Sequence, residues 1–322
     1  MKQIDTERLF PDEAGLARAG AILRAGGLAA FPTETVYGLG ANALDDKAVA
    51  RIYEAKGRPR FNPLIVHVAD RAAAEELVVF DDAASRLADA FWPGALTLVL
   101  PLRAGSGISS LVTAGLDTLA VRAPDHPVGQ AVLRASGVPV AAPSANPSGR
   151  VSPTTADHVI QGLDGLIDAV LDGGPCGVGV ESTIVVTGPN PTLLRAGGIP
   201  VEALSACLGQ AISIATDPTR PISPGQLESH YAPNGTLRLN AQAKEDDEVL
   251  LGFGPVDADL NLSVSGDLVE AASRLFSCLH ALDDMGATQI AVSPIPDSGL
   301  GRAINDRLKR AAAPRSGSLH ES

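Results

Sequence analysis

Between residues 14 and 209, short apolar runs alternate with amphipathic segments, and five of those runs end in clusters of polar, glycine and proline residues. That alternation constrains the fold more than any other feature of the chain. The runs GLAAFPT, NPLIVHVA, ALTLVLPL, TLAVRAP, VPVAAPS, DAVLDGG, STIVVTG and TLLRAG have the length and composition of strands. The intervening EAGLARAGAILRAG, DDKAVARIYEAK, DAASRLADAFW, HPVGQAVLRASG, TTADHVIQGL and VEALSACLG carry apolar residues three or four apart, the helical period, and several stop at glycine. STIVVTG and TLLRAG follow one another with no helix between them, which implies antiparallel pairing. The expected fold class is therefore α/β, with a twisted mixed sheet flanked by helices.

The chain is longer than one compact core usually holds, at 322 residues, so a second unit is expected. Residues 210–235, QAISIATDPTRPISPGQLESHYAPNG, carry four prolines and no clean period, as a linker does. Beyond it, TLRLN, EVLLGFG, ADLNLSV, DLVEAASRLFSCLHALDDMG, QIAVSPI and GRAINDRLKRAA form a smaller α/β pattern. The reading is a catalytic domain over 1–209, a linker or lid over 210–235 and a small C-terminal α/β domain over 236–322.

A formal net charge of -12 and an aromatic content of 3% argue against a general nucleic-acid-binding surface, although they leave room for a local basic pocket. Cys176, Cys207 and Cys278 lie far apart without metal-ligand spacing, so reduced, mostly buried thiols and no metal site are expected. The N-terminus MKQIDTERLFPDE has no apolar core, and no apolar run approaches the roughly 20 residues of a membrane span. A cytoplasmic protein without membrane contact is the expectation.

The polar clusters are where chemistry is sought. FPTETVYGLG, at Phe31–Gly40, crowds Thr33, Glu34, Thr35, Tyr37 and two glycines behind the run LAAF, and reads as a turn facing a ligand. Gly38 to Ala43 also matches the dinucleotide pattern G-x-G-x-x-G/A. A polar segment separates it from the strand, however, and no acidic residue follows about 20 positions on, so a nicotinamide or flavin site is disfavoured. KGRPRFNP places Lys56, Arg58 and Arg60 two apart on a loop stiffened by Pro59 and Pro63. Such cations either decorate a helix C-terminus at the surface or grip an anion. His67 lies within a strand, where a satisfied core histidine is the commoner case. APSANPSGR, GVESTIVV and LLRAGG add hydroxyls, Glu181 and Arg195 at further strand ends. Open α/β sheets bind ligands beyond such ends, so the clusters together point to one site for an anion and a small polar molecule.

FPTETVYGLGANA, KGRP, NPLIVHV, WPGALTLVL, TAGLDTLAVRAPDHP, APSAN, VSPT, GVESTIV and LLRAGG resemble, in order and spacing, the YrdC-like family over roughly residues 10 to 208. SPGQLESHYAPNG resembles the linker of the two-domain threonylcarbamoyl-AMP synthases, whose smaller Rossmann-like C-terminal domain the remaining chain fits. The family often has SPGMKYRHYAP there; Gln226, Leu227 and Glu228 stand in this chain, so no role is carried to them. The resemblance implies ATP-dependent synthesis of L-threonylcarbamoyladenylate from L-threonine and bicarbonate or CO2, with release of pyrophosphate. The product serves the threonylcarbamoyladenosine modification of tRNAs reading ANN codons. It further implies L-threonine binding by Thr35, His67, Arg122, Ala142 and Ser182. ATP binding is implied for Arg58, Asn62, Thr118, Ser144, Ser152, Arg195 and Tyr231, and a catalytic signature for Lys56, Arg58, Ser144 and Asn146. Mg2+ accompanying ATP, a monomer, and a downstream tRNA threonylcarbamoyl-transferase machinery as partner complete the expectations. An RNA-binding module using the same pocket is the competing reading, against which the scarcity of stacking aromatics counts. A carbamoyl-transfer domain of hydrogenase maturation is a third, disfavoured because the accompanying acylphosphatase and zinc-finger segments do not occur in the sequence.

Overall fold

The computed structural model describes residues 5–59, 61–215 and 230–314; Arg60, Gln226, Leu227 and Glu228 lie outside them. Among the described residues the chain builds an eleven-stranded mixed sheet and a four-stranded sheet. The large sheet runs, edge to edge, Glu7–Leu9, Ala169–Leu171, Ala29–Pro32, Tyr37–Asn42, Val140–Ala141, Ile65–His67, Thr118–Arg122, Leu96–Pro101, Thr183–Val186, Thr192–Arg195 and Ser213–Ile214. Thr183–Val186 and Thr192–Arg195 pair antiparallel, as their direct succession in the sequence requires. The mixed α/β sheet expected from the sequence is present.

Alternation of side chains across the sheet decides where a ligand can sit. One face presents Leu28, Ala30, Leu39, Val66, Val121 and Leu98 to the main core, which helices such as Asp46–Lys56 and Asp82–Phe91 close. On the other face, Ala29, Phe31, Ala169 and Leu171 pack under helices Glu13–Arg24 and Pro127–Ser136. Further along that face the apolar cluster of Ile65, Val99, Ala120 and Ile184 is built from strand residues alone. The sheet is thus roofed by helices over one half and left for something else over the other.

One element is added here and one sequence expectation changes. The charged N-terminus contributes an edge strand, Glu7–Leu9, parallel to Ala169–Leu171. More consequentially, the segment read as a ligand-facing turn is a turn only at Thr33–Val36; Tyr37–Asn42 is a strand paired on both sides. Gly40 is small because of its neighbours, not because of a ligand. A Cβ there would sit 2.8 Å from Phe31 Cε1, 3.0 Å from Val140 Cγ1 and 3.1 Å from the Ala29 carbonyl.

The second sheet is wholly parallel, in the order Thr236–Leu239, Gln289–Val292, Val249–Gly252 and Leu260–Asn261. Helices Leu268–Asp284 and Gly301–Ala312 pack on it. Ser213–Ile214, inside the stretch read as a linker, pairs as a strand with Thr192–Leu193. The two units share an apolar cluster in which Val36, Val151, Val180 and Tyr231 meet Leu275, Phe276, Leu279 and Leu308. Contact is close at Gly179, where a Cβ would fall 2.4 Å from Ser273 Cα.

Gly40→Ala is expected to force Phe31 or Val140 aside and to destabilise the protein by about 1–3 kcal/mol, the usual cost of overpacking. Urea unfolding measures it, and an unchanged midpoint would contradict this packing account.

Candidate active site

Strand direction places the polar clusters at the two ends of one sheet face, and the cavity lies across that face between them. Ile65–His67 and Thr118–Arg122 are parallel, with His67 opposite Arg122, so both side chains leave from the strands' C-terminal ends. Leu96–Pro101 runs antiparallel to Thr118–Arg122, and Thr183–Val186 runs parallel to Leu96–Pro101, which brings Glu181 and Ser182 to the same end. The antiparallel return of Thr192–Arg195 ends there too, delivering Arg195. Val140–Ala141 runs antiparallel to Ile65–His67, so Ala142, Pro143 and Ser144 leave at the opposite end, where Ser144 bridges to Gly38 beside the Thr33–Val36 turn.

The result is one cavity lined by Thr33, Thr35 and Val36 from the turn, Arg58 from the loop after helix Asp46–Lys56, and Ile65, His67, Arg122, Ala142, Ser144, Glu181, Ser182 and Arg195 from strand ends. His230 and Tyr231 complete the wall. Nine residues singled out by sequence therefore meet: Thr35, Arg58, His67, Arg122, Ala142, Ser144, Ser182, Arg195 and Tyr231. Five take other positions. Lys56 is buried beneath the wall, where its ammonium donates to the carbonyl of Ser144 at 2.5 Å and to that of Asn146. It braces the Ser144–Asn146 loop from below. Asn146 itself donates to the carbonyls of Pro147 and Arg150 and borders a separate cleft with Arg150, His158 and His280. Ser152 is fully buried and donates to Glu181 Oε1 at 2.6 Å. Asn62 is also fully buried, with neither end of its amide paired. Thr118 stands at the start of its strand, four residues before Arg122 and therefore on the same sheet face.

Three guanidinium groups share the cavity, and each is compensated differently. Arg122 donates through Nε to the Gly94 carbonyl, through Nη1 to Thr35 Oγ1 and through Nη2 to Glu34 Oε1 at 2.5 Å. Arg195 donates to the carbonyl and hydroxyl of Ser182, whose hydroxyl is 2.7 Å from that of Thr97. Arg58 donates to the Pro63 carbonyl, while its buried Nε has no acceptor. Burial, reinforced by Arg195, holds its pKa down at about 10. Burial likewise depresses Lys56 and Arg195. His67 is brought down to about 3, first by burial and then by Arg122, so its ring is neutral at physiological pH, with Nδ1 unpaired. Buried polar atoms are normally paired. Among the described residues Arg58 Nε and His67 Nδ1 in the cavity lack a partner, as do Asn62 behind it and atoms of His126, Gln130, Asn146 and Arg307 elsewhere.

Several wall residues were outside the site assigned from sequence. Glu34 supplies the counter-charge to Arg122 and accepts from the Asp125 amide through its other oxygen. Glu181 lies in the wall, accepting from Ser152 and from Arg307 of the four-stranded unit. Both carboxylates were visible in the polar clusters; Arg307 was not.

Comparison with known proteins decides the family. Residues 21–197 match the Sua5/YciO/YrdC family model described as "Telomere recombination", and residues 199–313 match one described as "Threonylcarbamoyl-AMP synthase, C-terminal domain". The threonylcarbamoyl-AMP synthase of Bacillus subtilis is 42% identical, over 96% of this chain and 96% of its own length. That of Pyrococcus abyssi is 40% identical, over 92% and 94%. This chain belongs to the threonylcarbamoyl-AMP synthase family. The crystal structure of P. abyssi Sua5 complexed with L-threonine superposes with a TM-score of 0.87 at 38% identity, covering 95% of this chain and 97% of that one. The family's two-unit architecture thus extends through both sheets.

Glu34→Ala is expected to leave Arg122, whose side chain is 4% exposed, without its counter-charge and to cost about 3–5 kcal/mol of stability. Chemical denaturation reads this directly. A loss below about 0.5 kcal/mol, the size of a surface pair, would show that the charge is compensated elsewhere.

Proposed function

We infer that this chain is an enzyme that joins L-threonine, bicarbonate or CO2, and ATP into L-threonylcarbamoyladenylate, releasing pyrophosphate. The product supplies the threonylcarbamoyl group for modification of tRNAs that read ANN codons. The observation that carries the reading is the convergence of Arg58, Arg122 and Arg195 with the neutral His67 and the hydroxyls of Thr35, Ser144 and Ser182 in one cavity. Family membership over nearly the whole chain supports it.

Chemically, the neutral amine of threonine attacks CO2 to form a carbamate, and the proton it sheds passes to solvent. The carbamate oxygen then attacks the α-phosphorus of ATP, and pyrophosphate leaves with the bond's electron pair. Two anions must be brought together, so the site's task is charge compensation and alignment rather than covalent catalysis. Arg58 and Arg195 suit the phosphates, since guanidinium groups grip them with paired donors. The apolar surface of Ile65, Val99 and Ala120, running towards Thr118, offers the base a dry shelf, with the unpaired Asn62 amide among the buried groups beside Arg58. Arg122, Thr35, Ser182, Ala142 and His67 form the opposite part of the wall, where the amino acid would sit. With a pKa near 3, His67 is too weak a base to take a proton from an ammonium group; its role is to hydrogen-bond the substrate. Lys56 acts indirectly, by fixing the Ser144 loop. Tyr231 closes the cavity from the chain between the sheets.

Mg2+ entering with ATP would take phosphate oxygens and water as ligands. Among the described residues no group of three His, Cys, Asp or Glu side chains is placed to hold a metal, and Glu181, the carboxylate of the cavity wall, already accepts from Ser152 and Arg307. No helix among the described residues is long and apolar enough to cross a membrane. The proposed protein is a cytoplasmic monomer that passes its adenylate to a tRNA-modifying transferase.

Pyrophosphate release should require threonine and bicarbonate together; tRNA binding without such release would favour an RNA-binding module instead. Arg58→Ala should weaken ATP binding at least tenfold, roughly the loss of one charged hydrogen-bonding partner. His67→Ala should raise the KM for threonine more than that for ATP, and the reverse pattern would exchange the two halves of the wall.

A further inference from the structure

Arg307 lies on helix Gly301–Ala312 of the four-stranded unit, yet it is fully buried against the cavity of the other unit. Its Nε donates to Glu181 Oε2 at 2.8 Å, and its Nη1 donates to Asp306 Oδ2 at 2.7 Å. Its guanidinium carbon stands 5.3 Å from the centre of the Tyr231 ring, within cation–π range. That ring stacks on Phe276, with centroids 5.5 Å apart, and Tyr231 holds a backbone φ of 63°, a left-handed conformation that side-chain-bearing residues adopt only when their surroundings impose it. One cation from the second unit therefore touches two residues of the cavity wall, Glu181 and Tyr231.

Glu181 and Arg195 line the same cavity, and Glu181 is attracted to both Arg307 and Arg195. Burial would raise its pKa, but Arg307, Arg195 and the Ser152 hydroxyl together bring it down to about 2, so the carboxylate is ionised at every working pH. An ionised carboxylate beside Arg195 is a competitor for the very cation that a triphosphate needs. Its two oxygens are instead committed, one to Ser152 and one to Arg307. The loop that carries it is fixed from the same side, since Gly179 packs directly on the backbone of helix Leu268–Asp284.

We propose that Arg307 is a positioning residue for the reaction: by engaging Glu181 from the second unit it keeps that carboxylate from neutralising Arg195, and with the same guanidinium it holds Tyr231 in the wall. The second unit then completes the nucleotide half of the site rather than merely accompanying it. The proposal rests on the function inferred above for the cavity and adds a residue and a domain contribution to it.

The test is nucleotide and threonine binding by the full chain, followed by calorimetry and kept separate from turnover. Arg307→Met should weaken ATP binding at least tenfold and leave threonine binding within about threefold. Glu181→Gln in the Arg307→Met background should restore most of the lost ATP affinity, because a neutral amide does not compete for Arg195. In Arg307→Met alone, Glu181 loses its main partner and its pKa rises, so lowering the pH through the carboxylate range should recover ATP binding; the double variant should show no such recovery. A purely structural role predicts equal loss for both ligands, no rescue by Glu181→Gln and no recovery at low pH, and that pattern would overturn the proposal. Should Arg307→Met fail to fold, Arg307→Lys, which keeps the charge but loses the directed Nε donor, carries the same comparison with a smaller expected loss. Wild-type protein that binds ATP without forming the adenylate would sink the functional reading and leave this one standing.

Discussion

Taking a guanidinium group out of water is expensive, with an effective penalty of several kcal/mol per ion unless partners replace the lost hydration. This protein does so three times within one cavity, and the surrounding architecture answers to that cost. Arg122 is paid for in full, by Glu34, Thr35 and the Gly94 carbonyl. Arg195 leans on Ser182 and on the field of Glu181. Arg58 is the least compensated of the three, with one carbonyl partner, an unpaired Nε and a pKa lowered to about 10. The remaining deficit is one that an anionic ligand can supply, which fits the triphosphate proposed for the Arg58 side of the cavity.

Charge compensation also shows what the second unit adds to the cavity. Helices roof half of one sheet face, and the other half receives Tyr231 and the loop of Val178 to Glu181, both backed by helices Leu268–Asp284 and Gly301–Ala312. The shared apolar cluster supplies the burial, and Glu181 with Arg307 supplies the directional contact. A chain with only the large sheet would have to meet these groups with water.

Much of this was legible in the sequence, for identifiable reasons. Period-two and period-3.6 patterns gave the mixed sheet, and the polar clusters at strand ends gave the lining. The clusters lie at both ends of the strands, however, and the cavity spans the sheet face between them, because neighbouring strands run in opposite directions. Of the two glycines of YGLGAN, Gly38 lines the cavity but Gly40 misled, since a glycine required by Phe31 and Val140 looks the same in sequence as one required by a ligand. Lys56 and Asn146 could not be sorted from Arg58 and Ser144 by spacing alone; whether a side chain faces the cavity or braces it from behind is decided by tertiary packing. Arg307 did leave a trace. Ile304, Arg307, Leu308 and Ala311 share the buried face of their helix, so a cation occupies a core position of the helical period. Such a residue needs a buried counter-charge, and the sequence does not say that it lies about 130 residues earlier, at Glu181.

The central claim is that one face of one sheet holds both an amino acid and a triphosphate on the same set of buried cations. A crystal structure of the full chain with L-threonine and a non-hydrolysable ATP analogue tests it most directly. The account predicts phosphate oxygens on Arg58 and Arg195, and the threonine beside Arg122, His67 and Ser182 within reach of the α-phosphorus. A nucleotide bound elsewhere, as in the cleft of Asn146, Arg150 and His158, with those arginines untouched, would contradict it.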